Sequence, residues 1–114
     1  MTTDWDALPH TVKTFMTAIN DRDDKQALAM FTTDAAVTDN GHVHTGRDEI
    51  RAWLATDVSG SEFTYTSEFT DAITTDTGVD VGQHLEGDFP GGVADLRYRF
   101  ELDGSLISRL VIEP

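Results

Sequence analysis

The spacing of apolar residues along this chain predicts helices in its first half and strands in its second. Between Pro9 and Asn20 the apolar positions recur three and four residues apart, as on one face of an amphipathic helix. A polar break follows, and either Asp23 or Asp24 can cap a short second helix. The apolar positions of that second helix are Ala27, Leu28, Met30 and Phe31.

A small hairpin and a third helix come next. The segment 35–39 is typical of a short strand, Asn40-Gly41 of a tight turn, and the segment 42–44 of the returning strand. Thr45 and Asp48 have the spacing of a capping box, although Asp stands where Glu or Gln is usual. The helix predicted from there carries the apolar residues Ile50, Trp53 and Leu54.

After the third helix the apolar period shortens to two, which predicts strands. In the first two strands the positions on the apolar side are Phe63, Tyr65, Ser67 and Phe69, then Val79, Val81, Gln83 and Leu85. The clearest strand follows, and its two sides are Ala94, Leu96, Tyr98, Phe100 and Leu102 against Asp95, Arg97, Arg99 and Glu101. Asp103-Gly104 predicts a turn into a last strand over 106–112. This order predicts an α+β fold in which a curved antiparallel sheet wraps around about three N-terminal helices.

Length and composition narrow the class of protein. A chain of 114 residues has the size of one domain with one core, so residues 1–114 are predicted to form a single domain. The absence of cysteine excludes disulfides, a thiolate nucleophile and cysteine-bound metals. No apolar stretch has the length of a membrane span and the N-terminus lacks the features of a signal peptide, so a cytoplasmic location is predicted.

The charge is strongly unbalanced, with 21 acidic residues against 8 basic ones and a net charge of −13. Lys13 and Lys25 are the only lysines, and the acids are spread along the whole chain. This pattern is typical of a protein adapted to a salt-rich cytoplasm, as in extreme halophiles, and a moderately acidic mesophilic protein is the alternative interpretation. Either origin makes nucleic acid and anionic membranes poor partners, because phosphate binding needs a basic surface.

Three segments resemble the ketosteroid isomerases and their SnoaL-like relatives. Residues 30–39 read MFTTDAAVTD and are followed by GRDEI over 46–50. In that family a helix ends in an aromatic residue, a strand delivers an Asp, and a Gly-Arg-x-x-Ile helix start follows. Residues 99–107, RFELDGSLI, approximate the C-terminal family pattern with one residue more before the isoleucine. The resemblance covers nearly the whole chain and implies the cone-shaped barrel of the nuclear transport factor 2-like superfamily, with one apolar pocket.

The resemblance also implies roles for individual residues. Asp39 matches the general base, and Phe31 and Trp53 match aromatic residues of the pocket. The two oxyanion-stabilising positions fall at Phe15 and Leu96, which lack the required tyrosine and aspartic acid, so classical ketosteroid isomerisation is not expected. A carboxylate at the mouth of an apolar pocket is desolvated and suited to act as a base. An Asp before Asn-Gly is equally typical of a turn residue that bonds the local backbone.

Other side chains qualify as pocket residues on strand periodicity alone. Arg109 alternates with Ile107 and Val111, which allows it to point into the barrel and pair with Asp39 or an anionic substrate, or to lie at the rim. Tyr98 can replace the missing tyrosine as a hydroxyl donor. The remaining candidates for ligand contacts, which could also simply fill the core, are Phe15, Phe31, Trp53, Phe63, Tyr65, Gln83 and Leu96. His42 and His44 share a strand face but lack a third metal ligand.

Two functions therefore remain open at this point. The first is an isomerase, cyclase or dehydratase that moves a proton in a small apolar carbonyl compound without a cofactor or metal, with Asp39 as base and Tyr98 or Arg109 as support. The second is a non-catalytic ligand-binding or dimeric assembly domain. A homodimer is predicted in either case, because Asp95, Arg97, Arg99 and Glu101 offer both signs of charge for a two-fold contact.

Overall fold

The computed structural model of the chain describes residues 4–58, 60 and 63–114. A 3₁₀ turn at Trp5–Ala7 precedes three helices, and a π-helical turn at Leu54–Val58 extends the third. The helices are α1 His10–Asn20, α2 Asp24–Leu28 and α3 Arg47–Trp53. The strands are β1 Phe31–Asp39, β2 His42–Thr45, β3 Tyr65–Thr74, β4 Gly78–Gly87, β5 Val93–Asp103 and β6 Leu106–Glu113. Among the described residues no helix is long and apolar enough to cross a membrane.

The helix starts follow the predicted signals with one difference of detail. Asp23 caps α2, where its side chain accepts a hydrogen bond of 3.2 Å from the Gln26 N–H. The residue before α3 is Gly46, with a φ of 84° that favours glycine. The Thr45 N–H donates a hydrogen bond of 3.0 Å to the Glu49 carboxylate. The acid that reaches back across the first turn of α3 is therefore Glu49, and the predicted Thr45–Asp48 capping box does not form.

The six strands form one sheet in the order β2-β1-β6-β5-β4-β3. All neighbours are antiparallel except β1 and β6, which run parallel, so the sheet is mixed. Asn40 and Gly41 both have positive φ, as a two-residue hairpin between β1 and β2 requires. The sheet curves around α1, and this α+β architecture confirms the predicted fold class. The parallel pair brings the end of β1, with Asp39, beside Ile112 at the end of β6.

Phe31 opens β1 and does not belong to the second helix, as its apolar spacing had suggested. The helix ends at Leu28, and the backbone then pairs with β6, where the Ile107 N–H donates to the Met30 carbonyl at 2.7 Å. Arg47 covers the junction by donating to the carbonyls of Leu28 and Phe31. Pairing with a distant strand thus overrides the local helical pattern.

A bulge in β6 corrects the expected direction of Arg109. Glu101 pairs with Arg109 but Leu102 pairs with Ile107, so Ser108 is an extra residue on the β6 side. The bulge shifts the side-chain alternation by one position, so Ile107 and Leu110 both face the core. Arg109 consequently lies on the outer surface, 3.5 Å from Glu101, and does not enter the barrel.

The charged side chains on the outer face of β5 pair within the chain. Arg97 donates to Asp71 and Asp80, each at 2.8 Å. Its cross-strand partner is Gly82, and its guanidinium lies next to that glycine. A Cβ at Gly82 would come within 2.6 Å of the Arg97 guanidinium, so the ion pairs depend on glycine there. Arg99 extends the row toward Glu113. The charges on this face thus already have partners within one subunit. Dimerisation through the face stays a prediction.

Candidate functional site

The concave side of the sheet is packed at one end and hollow at the other. At the packed end the Phe15 ring meets Phe31 and Phe100 edge-on, with centroid distances of 5.4 and 5.7 Å. All three are almost completely buried. Tyr98 lies next to Phe100 on the same face of β5, with ring centroids 6.4 Å apart, and the packed end stops at Tyr98. The cavity begins beyond it.

This cavity has a volume of about 260 Å³ and receives side chains from α1, the end of α3 and five strands. Its lining residues are Ile19, Asp39, Trp53, Asp57, Val58, Phe63, Tyr65, Leu85, Phe89, Ala94, Leu96, Tyr98 and Ile112. A cavity of roughly 150 Å³ holds benzene, so this one has room for about ten non-hydrogen atoms. It adjoins a second depression of about 540 Å³, with which it shares Asp39, Asp57, Phe63, Phe89, Leu96 and Ile112.

Asp39 is half-buried in the cavity wall, and its carboxylate is held in place by α3. The Trp53 indole N–H donates to Asp39 Oδ2 at 3.0 Å. Trp53 is in turn fixed by burial and by His44, whose ring centroid lies 6.2 Å away. Among the described residues no arginine or lysine pairs with Asp39, so its second oxygen is available to a ligand.

Tyr98 is a largely buried residue whose hydroxyl has no hydrogen-bond partner in the part of the chain that the structure describes. Its side chain is only 8% exposed, yet it lines the cavity. Burial raises the pKa of Tyr98 well above its ordinary value, and Tyr65 and the Asp39 carboxylate raise it further. The hydroxyl therefore keeps its proton at any ordinary pH and can donate a hydrogen bond into the cavity.

The mouth of the cavity carries residues that the sequence pattern did not single out. Asp57, in the π-helical turn after α3, is exposed at the rim, and Phe89 comes from the turn between β4 and β5. An aromatic residue within the Gly87–Gly92 turn was a signal that could have been used, because turns rarely need an aromatic side chain for their own stability. No comparable signal marked Asp57.

The other sequence-predicted residues divide between the cavity and the core. Trp53, Phe63, Tyr65 and Leu96 line the cavity, as do Asp39 and Tyr98. The expected ligand contacts that the structure places outside the lining are Phe15, Phe31 and Gln83. Phe15 and Phe31 pack against each other in the core. Gln83 is buried in β4, where its cross-strand neighbours are Leu96 and Phe69. Arg109 is separated from the cavity by the sheet.

The histidines do not form a centre with the acids. Within residues 4–58, 60 and 63–114, no three His, Asp or Glu side chains lie close enough to hold a metal ion. His84 lies on the outer face, with its ring 2.6 Å from Asp95 and 3.5 Å from Glu86. His42 lies beside Asp39 in the hairpin but is exposed.

The curved sheet around three helices is the cone-shaped fold of the nuclear transport factor 2-like class. The SnoaL-like domain model matches residues 12–106. This chain belongs to the SnoaL-like domain family. No curated protein sequence matches it closely enough to count as a relative.

Solved structures of the same fold include proteins with diverse ligands. A Sinorhizobium meliloti protein named "putative polyketide cyclase" is 26% identical, with 97% of this chain and 100% of that chain covered and a TM-score of 0.88. A Catenulispora acidiphila protein with a ketosteroid isomerase-like fold, solved with trimethylamine, is 18% identical, with coverages of 94% and 86% and a TM-score of 0.80. A Mycobacterium tuberculosis protein solved with estradiol-17β-hemisuccinate is 13% identical, with coverages of 91% and 89% and a TM-score of 0.75.

Proposed function

We propose that this domain binds a small apolar carbonyl compound and moves a proton within it, as a cofactor-independent isomerase, cyclase or dehydratase. The observation that carries the proposal is that one cavity contains both a carboxylate and a hydroxyl group. Asp39 offers a free carboxylate oxygen, and Tyr98 offers a hydroxyl that has no partner among the described residues. A base and a hydrogen-bond donor that face the same apolar space are the two groups that enolisation needs.

In the proposed reaction Asp39 takes a proton from the carbon beside the carbonyl. The electron pair of the broken C–H bond forms the enolate, and the Tyr98 hydroxyl donates a hydrogen bond to the oxygen on which charge develops. Return of the proton to another carbon completes an isomerisation. Attack of the enolate carbon on a second carbonyl closes a ring, and the protonated Asp39 returns its proton to the alkoxide that forms. In a dehydration the enolate expels a β-hydroxyl group, which leaves as water with the proton from Asp39. Trp53 keeps the carboxylate oriented during these steps.

The comparisons support a pocket of this kind without fixing its substrate. The Sinorhizobium protein carries the name of a cyclase, and other proteins of the fold were solved with molecules as different as trimethylamine and a steroid ester. The cavity of about 260 Å³ favours a substrate with one or two rings in its buried part over a steroid.

Binding without catalysis is the competing function. Phe15 and Leu96 occupy the positions where the resemblance implies oxyanion-stabilising groups, and neither can donate a hydrogen bond. Leu96 lines the cavity and Phe15 is packed in the core, so the donor must come from another residue of the lining, and Tyr98 takes that role in the proposal. The unfilled cavity favours ligand binding over a role in assembly alone, because assembly does not require an empty space inside the domain.

Enolisation can be tested before the natural substrate is known. A bicyclic ketone such as tetralone is incubated with the protein in D₂O, and loss of its α-proton signals is followed by NMR. The wild-type protein should accelerate exchange, and Asp39→Asn should lower the rate by about 10²-fold or more, since shape is kept and basicity is lost. Tyr98→Phe should lower it by roughly 10²-fold through loss of the oxyanion donor.

Asp103→Asn is the matched control, because it removes one carboxylate in the β5–β6 turn, away from the cavity lining. It should exchange as fast as the wild type. If the ketone binds but the wild-type protein gives no exchange above buffer, the domain is a binding protein. If Asp39→Asn retains near-normal exchange, Asp39 is not the base.

A homodimer in a salt-rich cytoplasm belongs to the same proposal. The acidic surface, with 21 acids against 8 basic residues, suits a medium that screens repulsion. Light scattering at high salt should give twice the monomer mass. A monomer at high protein concentration would contradict the dimer and leave the cavity argument untouched.

A further inference from the structure

We propose that the carbonyl compound taken by this cavity also carries an amino group that is protonated at neutral pH, so that the ligand is a small apolar ammonium ketone. This inference rests on the proposed function for the carbonyl part and adds the charge of the ligand. It is argued from the distribution of charge, aromatic rings and polar atoms over the cavity lining.

The described part of the lining has negative charge and no positive charge to balance it. Asp39 and Asp57 are the two acids among the described lining residues, and none of those residues is Lys, Arg or His. Glu113 lines the neighbouring depression, but its carboxylate is paired with Arg99 and does not add to this charge. Among the described basic residues, Arg109 lies with Glu101 and Arg99 with Glu113 on the outer face, and Arg22 stacks on the Tyr65 ring beside the cavity. An anionic ligand would meet repulsion here, whereas a cation would meet uncompensated carboxylates.

The aromatic content of the lining favours the same sign of charge. Trp53, Phe63, Tyr65, Phe89 and Tyr98 surround the space, and an aromatic ring face attracts a cation. The chain already uses one of these rings in this way. The Arg22 guanidinium carbon lies 4.6 Å from the centroid of the Tyr65 ring, although Arg22 is not itself a lining residue.

The polar groups are arranged in depth, which sets the order of groups on the ligand. The Tyr98 side chain is largely buried next to the packed end, and its hydroxyl has no protein partner among the described residues, so it can donate a hydrogen bond to an acceptor at this end of the cavity. Asp57 is exposed at the mouth. A ligand that satisfies both has its carbonyl oxygen inward and its ammonium group outward, with a short apolar body between them.

Three phenyl ketones of equal size separate charge from shape. Each has a three-carbon tail, which ends in a dimethylammonium, an isopropyl or a carboxylate group. Isothermal titration calorimetry with the wild-type protein should show the ammonium ketone to bind about tenfold more tightly than the neutral isopropyl ketone, and the carboxylate ketone not to bind measurably. Equal affinity of the ammonium and isopropyl ketones, or binding of the carboxylate ketone, would overturn the inference.

Charge variants locate the effect. Asp57→Asn should weaken the ammonium ketone roughly threefold and leave the isopropyl ketone unchanged, because an exposed carboxylate contributes modestly. Asp103→Asn should change neither affinity. If the Asp57→Asn protein binds the ammonium ketone as tightly as the wild type, the ammonium group does not bind at the mouth of the cavity.

The two proposals fail separately. Deuterium exchange of tetralone without preference for the ammonium ketone would leave the enolisation proposal standing alone. Preference for the ammonium ketone without any exchange would leave an amine-binding domain.

Discussion

The packed and hollow ends of the cone use the same aromatic and aliphatic residue types for opposite purposes. At the packed end Phe15, Phe31 and Phe100 fill one another's space at centroid distances below 6 Å. At the hollow end Phe63 and Phe89 stand around a volume of about 260 Å³ that no protein atom fills. Hydrophobicity alone does not distinguish these ends. What differs is whether the facing element brings a side chain inward.

The α1 helix makes this difference. Phe15 projects from α1 into the packed end, and Ile19, one turn later, reaches only the edge of the cavity. The helix ends at Asn20, so Ile19 is the α1 residue that lines the cavity together with Leu96 and Tyr98. The hollow end is instead closed by the π-helical turn after α3, whose Asp57 is exposed. The packed end should therefore carry stability and the hollow end binding.

The largest expected effect follows from truncating one phenylalanine at each end. Phe31→Ala should lower the free energy of unfolding by about 3–5 kcal/mol, because a fully buried ring leaves a cavity that its neighbours cannot fill. Phe89→Ala, at the half-exposed rim, should cost about 1 kcal/mol or less and should weaken ligand binding instead. Denaturant unfolding of both variants measures the contrast. Equal losses of stability would show that the hollow end is part of the structural core.

Salt should act in opposite directions on folding and on ligand affinity. Lowering potassium chloride from 1 M to 0.1 M lengthens the screening distance from roughly 3 to 10 Å, so the net charge of −13 repels itself and destabilises the protein by on the order of 2 kcal/mol. The ammonium ketone should bind more tightly at the lower salt, since its attraction to Asp57 is screened less.

Thermal melts and titrations at graded salt measure both responses, with a neutral osmolyte to separate screening from solvent exclusion. A melting temperature that is the same at both salt concentrations would refute the halophilic interpretation. Because the 8 basic residues can neutralise only a minority of the 21 acids, the ion pairs around Arg97 should not reverse this trend.

The smallest effect belongs to His84, on the outer face away from both ends. Asp95 raises the pKa of His84 above its ordinary value of 6.5, and Glu86 raises it further. A raised pKa in the folded state stabilises the protein below pH 6.5, and this contribution is lost as pH rises through the folded value. NMR titration should show the His84 pKa fall in Asp95→Asn and stay unchanged in Asp103→Asn. No fall in Asp95→Asn would exclude the ion pair in solution.

Much of the fold could be predicted from local pattern. The spacing in α1, the Asp23 cap and the Asn40-Gly41 turn depend on a few neighbouring residues, and the structure contains all three. The two faces of β5 also follow directly from alternation, with Tyr98 and Phe100 inward and the charged residues outward. These features are local because helix and strand periodicity arises from backbone geometry.

The sequence by itself therefore determined the class of fold, the family resemblance that marks Asp39 as a candidate, and the placement of Tyr98 on the apolar face of β5. The tertiary structure decided the outward turn of Arg109, the burial of Phe31 in the core and the entry of Asp57 into the cavity rim. The first depends on a bulge at Ser108 and the second on parallel pairing between β1 and β6. Bulges and long-range pairings are set by contacts between distant segments, and a side chain's surroundings change with them while its local pattern stays the same.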